Sequence, residues 1–273
     1  RTITYNFDSR DRLSTVKDGS TTLVTYGYDD LQERLSSRTF GNGVTHNLIY
    51  DGKGNLTDYT YKKASVAFID RSITRNGAGW ITDDDDNLDT AKSRSFSFDA
   101  IGRLTSASYG KPAASRTVDY TLDKLANWSM LDDDTSTPFS PTVNNVNQYT
   151  LFDGLAMTYD DRGNMVSMGT RAFAFDHLNR MTQVTETSPS TSTVAIYAYD
   201  GLNRRISRTT GGTTYTYVYD DNGRVLEEYE NGSLAASYVY GPNQTEVITM
   251  DRGSNTYWYH TDHLASPIAI GFV

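Results

Sequence analysis

The chain has 273 residues, a net charge of -9 and only 37% hydrophobic residues. It is long enough for one large domain but poor in the aliphatic side chains of an ordinary core. The acidic balance leaves no basic stripe to displace counterions and argues against nucleic acid as a partner. The lack of cysteine removes disulfides, thiolate metal ligands and thiol chemistry. Aromatic residues, by contrast, make up 12%, with 20 Tyr, so burial must rest on amphipathic rings spread over a broad, thin sheet with a wetter side.

The opening residues, Arg1-Thr2-Ile3-Thr4-Tyr5, already carry a strand pattern without a charged and apolar leader. No apolar run nears the roughly 20 residues that span a bilayer, so no membrane span is predicted. One motif then recurs. It appears as Tyr5-Asn6-Phe7-Asp8 with Arg12-Leu13, as Tyr26-Gly27-Tyr28-Asp29 with Arg34-Leu35 in a copy one residue longer, and as Ile49-Tyr50-Asp51 with Asn55-Leu56. A degraded copy is read at Ile73-Thr74-Arg75-Asn76 with Gly79 and Ile81. Residues 83–86, four aspartates followed by Asn87 and Asp89, lack the Gly that sharp-turning calcium loops place among their ligands and read as a solvated acidic loop.

The motif returns at Phe96-Ser97-Phe98-Asp99 with Gly102-Arg103-Leu104 and at Tyr120-Thr121-Leu122-Asp123 with Asn127-Trp128. Residues 131–148, with Asp132-Asp133-Asp134, Pro138 and Pro141, read as an exposed loop, as do residues 185–193. Between them lie Tyr159-Asp160 with Gly163-Asn164-Met165 and Phe173-Ala174-Phe175-Asp176 with Arg180-Met181. Tyr197-Ala198-Tyr199-Asp200 with Arg204 follows, and there Arg205 takes the aliphatic place, so that copy is predicted to be bulged. The fullest copy runs from Tyr215 through Tyr217, Tyr219, Asp220, Gly223 and Arg224 to Tyr229.

Alternation with a period of two puts Tyr215, Tyr217 and Tyr219 on one face of a strand. Asp220 bonds forward to the backbone and Gly223 accepts φ > 0, which predicts a type I turn closed by a bulge. The predicted register sets Tyr219 opposite Val225, Val218 opposite Leu226, Tyr217 opposite Glu227 and Tyr215 opposite Tyr229. An Asp220 and Arg224 ion pair falls on the outer face, where exposure limits it to ~0.2–1 kcal/mol. The residue three after the marker is Gly54, Gly102, Gly163 or Gly223, or else Asp11, Asn179 or Asn203, all tolerant of the left-handed region. Ala126 is not, and a different turn is predicted there. The spacings from Asp8 to Asp29, Asp29 to Asp51, Asp99 to Asp123, Asp176 to Asp200 and Asp200 to Asp220 are 20 to 24 residues, the length of two strands and their turns. With no helical apolar stripe, the chain reads as all-β, a tandem array of antiparallel hairpins in one continuous domain, 1–273. Both ends fall inside the pattern, as expected of a piece of a longer polypeptide.

The metal-type cluster is His260, Asp262 and His263. On a strand His260 and His263 point to opposite faces, so a structural role is preferred, with His263 closing a turn. A catalytic dyad would have to draw on His46, His177, His260 or His263, and no GxSxG, HExxH or phosphate-cradling Gly loop accompanies them. Turn aspartates paired as glycosidase carboxylates would each forfeit a structural position. No catalytic, cofactor or metal residue is assigned, and the chain is read as non-enzymatic. Trp80, Trp128 and Trp258 are natural stacking platforms for sugars, or fill the ring-bearing face like their Tyr equivalents.

These residues resemble the YD repeats of bacterial Rhs proteins, insecticidal toxin-complex subunits and animal teneurins over nearly the whole chain. The resemblance is carried by Tyr28-Asp29, Tyr50-Asp51, Phe98-Asp99 with Gly102-Arg103, Tyr159-Asp160 with Gly163, Phe175-Asp176, Tyr199-Asp200, and Tyr219-Asp220 with Gly223-Arg224. Especially similar to Rhs cores are Asn147-Gln148-Tyr149, Tyr238-Val239-Tyr240-Gly241-Pro242 and the final Tyr259-His260-Thr261-Asp262-His263-Leu264-Ala265-Ser266-Pro267. The resemblance implies a long sheet that spirals into a hollow β-shell, inside which many members hold a C-terminal toxin until delivery. It implies a structural wall segment without cofactor in a secreted or cell-surface bacterial protein, whose partner is an encapsulated C-terminal polypeptide or adjoining repeats of the same chain. The rival reading is a recognition module that presents loops and Trp residues to a glycan or protein receptor. Ala265 stands where the family's terminal pattern has Gly, which is expected to loosen one turn. The family's downstream core ending and aspartate-based self-cleavage site are not in this sequence, so neither autoproteolysis nor toxicity is carried over to a residue here.

Overall fold

Tyr, Thr, Val and Phe alternate with polar residues along most of the chain, and this period becomes strand almost wherever it occurs. The computed structural model describes residues 1–29, 31–243 and 245–272, the last by its backbone alone. Among them are 26 strands, from Ile3–Phe7 to Pro267–Phe272, and one short 3-10 helix, Thr90–Lys92. The strands pair in sequence order as a 12-stranded and a 14-stranded sheet. Every neighbour is antiparallel where its register is resolved, as the hairpin array predicts.

Turns of one design join the hairpins at Asp8, Asp29, Asp51, Asn76, Asp99, Asp123, Asn144, Asp160, Asp176, Asp200, Asp220 and Asp262. The marker's N–H donates to the carbonyl of the residue four later, or five later after Asp29, at 2.8 to 2.9 Å. A return bond of 2.7 to 3.2 Å comes from the next-to-last turn residue. That residue always has positive φ, from Glu33 at 56° to Gly54 at 93°. Asn76 therefore closes a full repeat. Ala126, at φ 67°, adopts the same turn as its siblings, against expectation. Its marker Asp123 holds the turn so firmly, through the N–H groups of Leu125 and Asn127, that a left-handed Ala is tolerated. Asn144 and Asp262, neither counted as a marker in the sequence, complete the set.

The register carries a second correction. Tyr219 does face Val225, but Val218 faces Glu227, Tyr217 faces Glu228 and Tyr215 faces Glu230. Two residues, Val225 and Leu226, oppose one, which is a β-bulge directly behind the turn. The same skip follows Phe7, Tyr28, Tyr50, Phe98, Tyr159, Phe175 and Tyr199. The Asp200 copy, with Arg205 in the aliphatic place, is thus bulged like the others. A bulge per hairpin adds right-handed twist at regular intervals.

Residues 83–86 are not a loop. They end the strand Ile81–Asp86, where Arg71 lies 3.4 Å from Asp84 and 3.2 Å from Asp86, and Lys111 lies 2.7 Å from Asp83 and 2.6 Å from Asp85. Strand alternation sends the two pairs to opposite faces, and each finds one cation. The loop expected over 131–148 shrinks likewise. The strand Trp128–Asp133 enters it, Leu131 bridges Phe139, Asp133 is buried, and Asn144 opens another repeat turn. Strands Met181–Glu186 and Ser192–Tyr199 leave only 187–191 of the loop expected over 185–193.

The chain divides into two compact units, Arg1–Val118 with Tyr238–Val273, and Asp119–Ser237. In the first, hairpins from both ends of the sequence share a core. Val16, Val24, Phe40, Tyr59 and Tyr61 pack with Val239, Ile248 and Trp258. In the second unit, full burial of apolar side chains is confined, among the described residues, to Val184, Ala195 and Ala236. There the sheet is held by half-buried rings and by the turns.

Candidate functional site

The repeated site is a clasp built by each turn on its neighbour. Asp220 accepts the N–H groups of Asn222 and Arg224 on Oδ1, at 2.9 and 2.8 Å, and Arg224 Nε at 2.7 Å on Oδ2. Asp99 with Arg103, Asp176 with Arg180 and Asp200 with Arg204 repeat this geometry. In the Asp51 and Asp160 turns, Asn55 and Asn164 stand in for the arginine. The Asp220 and Arg224 side chains are only 16% and 17% exposed, so the pair is not the solvated outer-face bridge expected from the sequence. Hydrogen bonds from the Arg12 side chain and backbone hold the Asp8 carboxyl at about 2. Burial pushes Asp220 up, but the backbone and guanidinium bonds from Arg224 outweigh it and leave the carboxyl low.

The motif tyrosines join one repeat to the next. Tyr28, Tyr50, Tyr199 and Tyr219 donate their hydroxyls to the carbonyls of Leu13, Leu35, Met181 and Arg205, each just past the preceding turn, at 2.7 to 2.9 Å. Tyr159 bonds the Tyr149 carbonyl at 2.8 Å. The arginine of the preceding turn lies over the ring, Arg12 over Tyr28 at 4.5 Å, Arg34 over Tyr50 at 5.3 Å, Arg180 over Tyr199 at 5.0 Å and Arg204 over Tyr219 at 5.1 Å. Arg180 also reaches the Asp200 carbonyl at 3.0 Å. Asp29 caps its longer turn through the Leu31 N–H. Phe98 and Phe175 have no hydroxyl. Phe98 instead meets Trp80 at 5.5 Å, and that indole lies so close to Gly102 that a Cβ there would stand 2.6 Å from it. Gly163 and Gly223 are needed for their positive φ alone.

The sequence did not point to a second site, a buried charged network inside the first unit. Arg38 donates to Glu246 at 2.8 Å, to His46 Nδ1 at 3.0 Å and to the Tyr61 hydroxyl at 3.1 Å. Tyr26 donates to the same Glu246 oxygen at 3.0 Å. Tyr61 in turn donates to the Thr261 carbonyl at 3.0 Å and accepts its N–H at 3.1 Å. A Cβ on Gly241 would meet the Glu246 carboxyl at 2.5 Å, so any side chain there would push that carboxyl off Arg38 and Tyr26. The network ties the two sequence ends of this unit together, since the Arg38–Glu246, Tyr26–Glu246 and Tyr61–Thr261 bonds join residues 200 to 220 apart.

His260 and His263 do not point to opposite faces. His260 packs on Phe40 and Tyr61, while His263 lies 6.4 Å from Tyr59, which shares a strand face with Tyr61. The strand Asn255–Thr261 ends before His263, and the turn redirects that side chain. Asp262, not His263, closes the turn, accepting the N–H groups of Leu264 and Ser266 at 2.9 Å. Ala265 keeps the turn bonds at φ 64°, so the turn is strained rather than loosened. Burial, with Arg38 nearby, lowers His46 to about 2 and His260 to about 4. No group of three or more His, Asp or Glu among the described residues is arranged to hold a metal ion. His177 is exposed on a turn of the second unit. Trp258 is buried in the core, and Trp128 is wedged between Tyr120 and Phe152, so the indoles fill ring-bearing faces rather than standing free as platforms.

Residues 42–271 match the family described as Teneurin YD-shell. The chain is 26% identical over 97% of its length to the tRNA3(Ser)-specific nuclease WapA of Bacillus spizizenii, and 22% identical over 97% to Teneurin-3 of Mus musculus. It is 24% identical over 92% to Double-stranded DNA deaminase toxin A of Burkholderia cenocepacia. It spans only 11%, 11% and 20% of those proteins. A chain in the solved Photorhabdus luminescens Tc holotoxin pore shares its fold, with a TM-score of 0.76 at 12% identity over 99% of this chain and 16% of that one. With the clasp geometry and the family match together, the chain belongs to the Teneurin YD-shell family.

Proposed function

We propose that the chain is a wall segment of a β-shell that encloses a polypeptide, and that it acts by exclusion rather than by catalysis. The observation that carries this reading is the clasp, in which Tyr and Arg repeatedly tie one hairpin to the next, as at Tyr199 and Tyr219, and make a barrier from units with little core of their own. Paired strand edges and clasped turns keep an enclosed chain from outside proteases and partners. Residues 1–273 form one unbroken run of repeats in this reading. The bacterial relatives are named for nuclease and deaminase chemistry, and because the chain spans only 11% and 20% of them that chemistry is not assigned to it. Kinship with bacterial toxins supports a place outside the cell or on its surface.

Limited proteolysis of the encoded polypeptide tests the reading. A guest segment should survive intact with the wild-type wall and be digested when Arg180, Arg204 and Arg224 are changed together to Ala. Equal digestion in both would refute enclosure.

A further inference from the structure

Within the first unit, two cavities of about 420 and 290 Å³ meet beneath the Asp262 turn, sharing Ile81, Asp262, His263 and Leu264. Together they form a furrow of small-ligand size. Its aliphatic lining repeats. Leu35, Leu56, Ile81 and Leu104 each follow the turn of a successive hairpin, and successive hairpins stand two strands, about 9.5 Å, apart.

The polar lining is unfinished. Arg38 donates to His46 Nδ1, so the proton of neutral His46 sits on Nε2, where it meets no acceptor although the side chain is only 2% exposed. Both nitrogens of His263 are buried and also lack partners. Leaving such groups unmade costs free energy, and a guest that bonds them recovers it. Of the charges lining the furrow, Arg38 is paired with Glu246, Asp84 with Arg71, Asp262 accepts from its own turn and Arg75 donates to the Leu56 carbonyl, while Arg94 meets no carboxylate among the described residues.

We propose that this furrow binds an extended polypeptide segment with an aliphatic side chain at every third residue. Such a segment in the polyproline II conformation advances about 9.3 Å per three residues, which matches the hairpin pitch. Its carbonyls accept from His46 and His263 while its side chains settle against the repeated aliphatic positions. Identifying the segment as part of an enclosed guest rests on the enclosure reading.

The probe is the capped peptide Ac-Leu-Ser-Gly-Leu-Ser-Gly-Leu-NH2, titrated at neutral pH into protein labelled with nitrogen-15 histidine. The His46 and His263 resonances should move and saturate while exposed His177 stays in place. The peptide with Asp for Leu should bind at least about tenfold more weakly. Leu264→Asp, at a turn apex where the side chain is 72% exposed, should weaken the Leu peptide by about tenfold while leaving the melting midpoint unchanged. Absence of a saturable shift, an equal shift at His177, equal binding of the Asp peptide, or unchanged binding by Leu264→Asp would each overturn the proposal. A silent titration beside a protease-resistant guest sinks the furrow alone, and a saturating titration beside a digested guest sinks enclosure alone.

Discussion

Arg204 lies over the ring of Tyr219 in the next hairpin, 5.1 Å from its centroid, while its Nε holds Asp200 at 2.7 Å and its Nη1 reaches the Asp220 carbonyl at 3.2 Å. One planar side chain serves its own turn, the next turn and the next ring. Lysine keeps the charge but cannot make these contacts together. Arg204→Lys should cost about 1 kcal/mol, and Tyr219→Phe a similar amount through the lost bond to the Arg205 carbonyl. Because both changes break one clasp, a double-mutant cycle in urea should show coupling. Strict additivity would mean that the two residues act separately.

Glycine at the turns separates two effects. Gly223, at φ 80°, has nothing within reach of an added Cβ, whereas Gly102, at φ 86°, lies under Trp80. Strain of roughly 1–2 kcal/mol, partly offset by ~0.4–1 kcal/mol of unfolded-state entropy, leaves a small net cost for Gly223→Ala. Gly102→Ala should lose a further ~1–3 kcal/mol to overpacking. The same balance reverses at Ala265, where Ala265→Gly should stabilise by roughly 0.5–1 kcal/mol. Thermal melts of the three variants give the order.

Glu246 carries the buried Arg38 guanidinium. Glu246→Gln leaves that charge uncompensated and should cost about 3 kcal/mol. Amide exchange should quicken first in Val247–Arg252 and Asn255–Thr261, the strands that the network fastens. Uniform acceleration across the chain would place the network's effect elsewhere.

Acid should act in two stages. An unfolded histidine binds its proton below about 6.5, but buried His260 does so only near 4 and His46 near 2. Between these limits the unfolded chain holds more protons than the native one, so stability falls as pH drops from about 6.5 to 4, by up to ~3 kcal/mol from His260. The carboxylates of Asp8, Asp51, Asp99, Asp160, Asp176, Asp200 and Asp220, all held low by their turns, follow. Their stabilisation is full above their unfolded pKa near 4 and is lost as pH falls through the lowered folded values, near 2 for Asp8. Urea midpoints should decline from pH 7 to 4.5 in the wild type and less steeply in His260→Phe. A flat wild-type profile over that range would contradict neutral burial of these rings.

Local chemistry was legible in the sequence, and long-range packing was not. Asp220 and Gly223 announced their turn because both act within four residues. The bulge behind Tyr219 escaped notice because Val225 and Leu226 look alike to an alternation count, although only one of them takes the paired place. Asp83 to Asp86 looked solvated because their cations come from elsewhere in the chain, Arg71 from the strand Val66–Arg75 and Lys111 from the loop after Leu104–Tyr109. Arg38 and Glu246 are separated by 208 residues, and neither stands in a repeat motif. One signal was available: Gly241, outside any turn marker, borders the carboxylate it must make room for.

Electron microscopy of the encoded polypeptide with its guest tests the shell directly. The account predicts particles with a continuous wall around an interior, guest density within it, and open or broken walls when Arg180, Arg204 and Arg224 are replaced. Solid or open-sheet particles, with the guest segment outside and unaffected by those replacements, would contradict it.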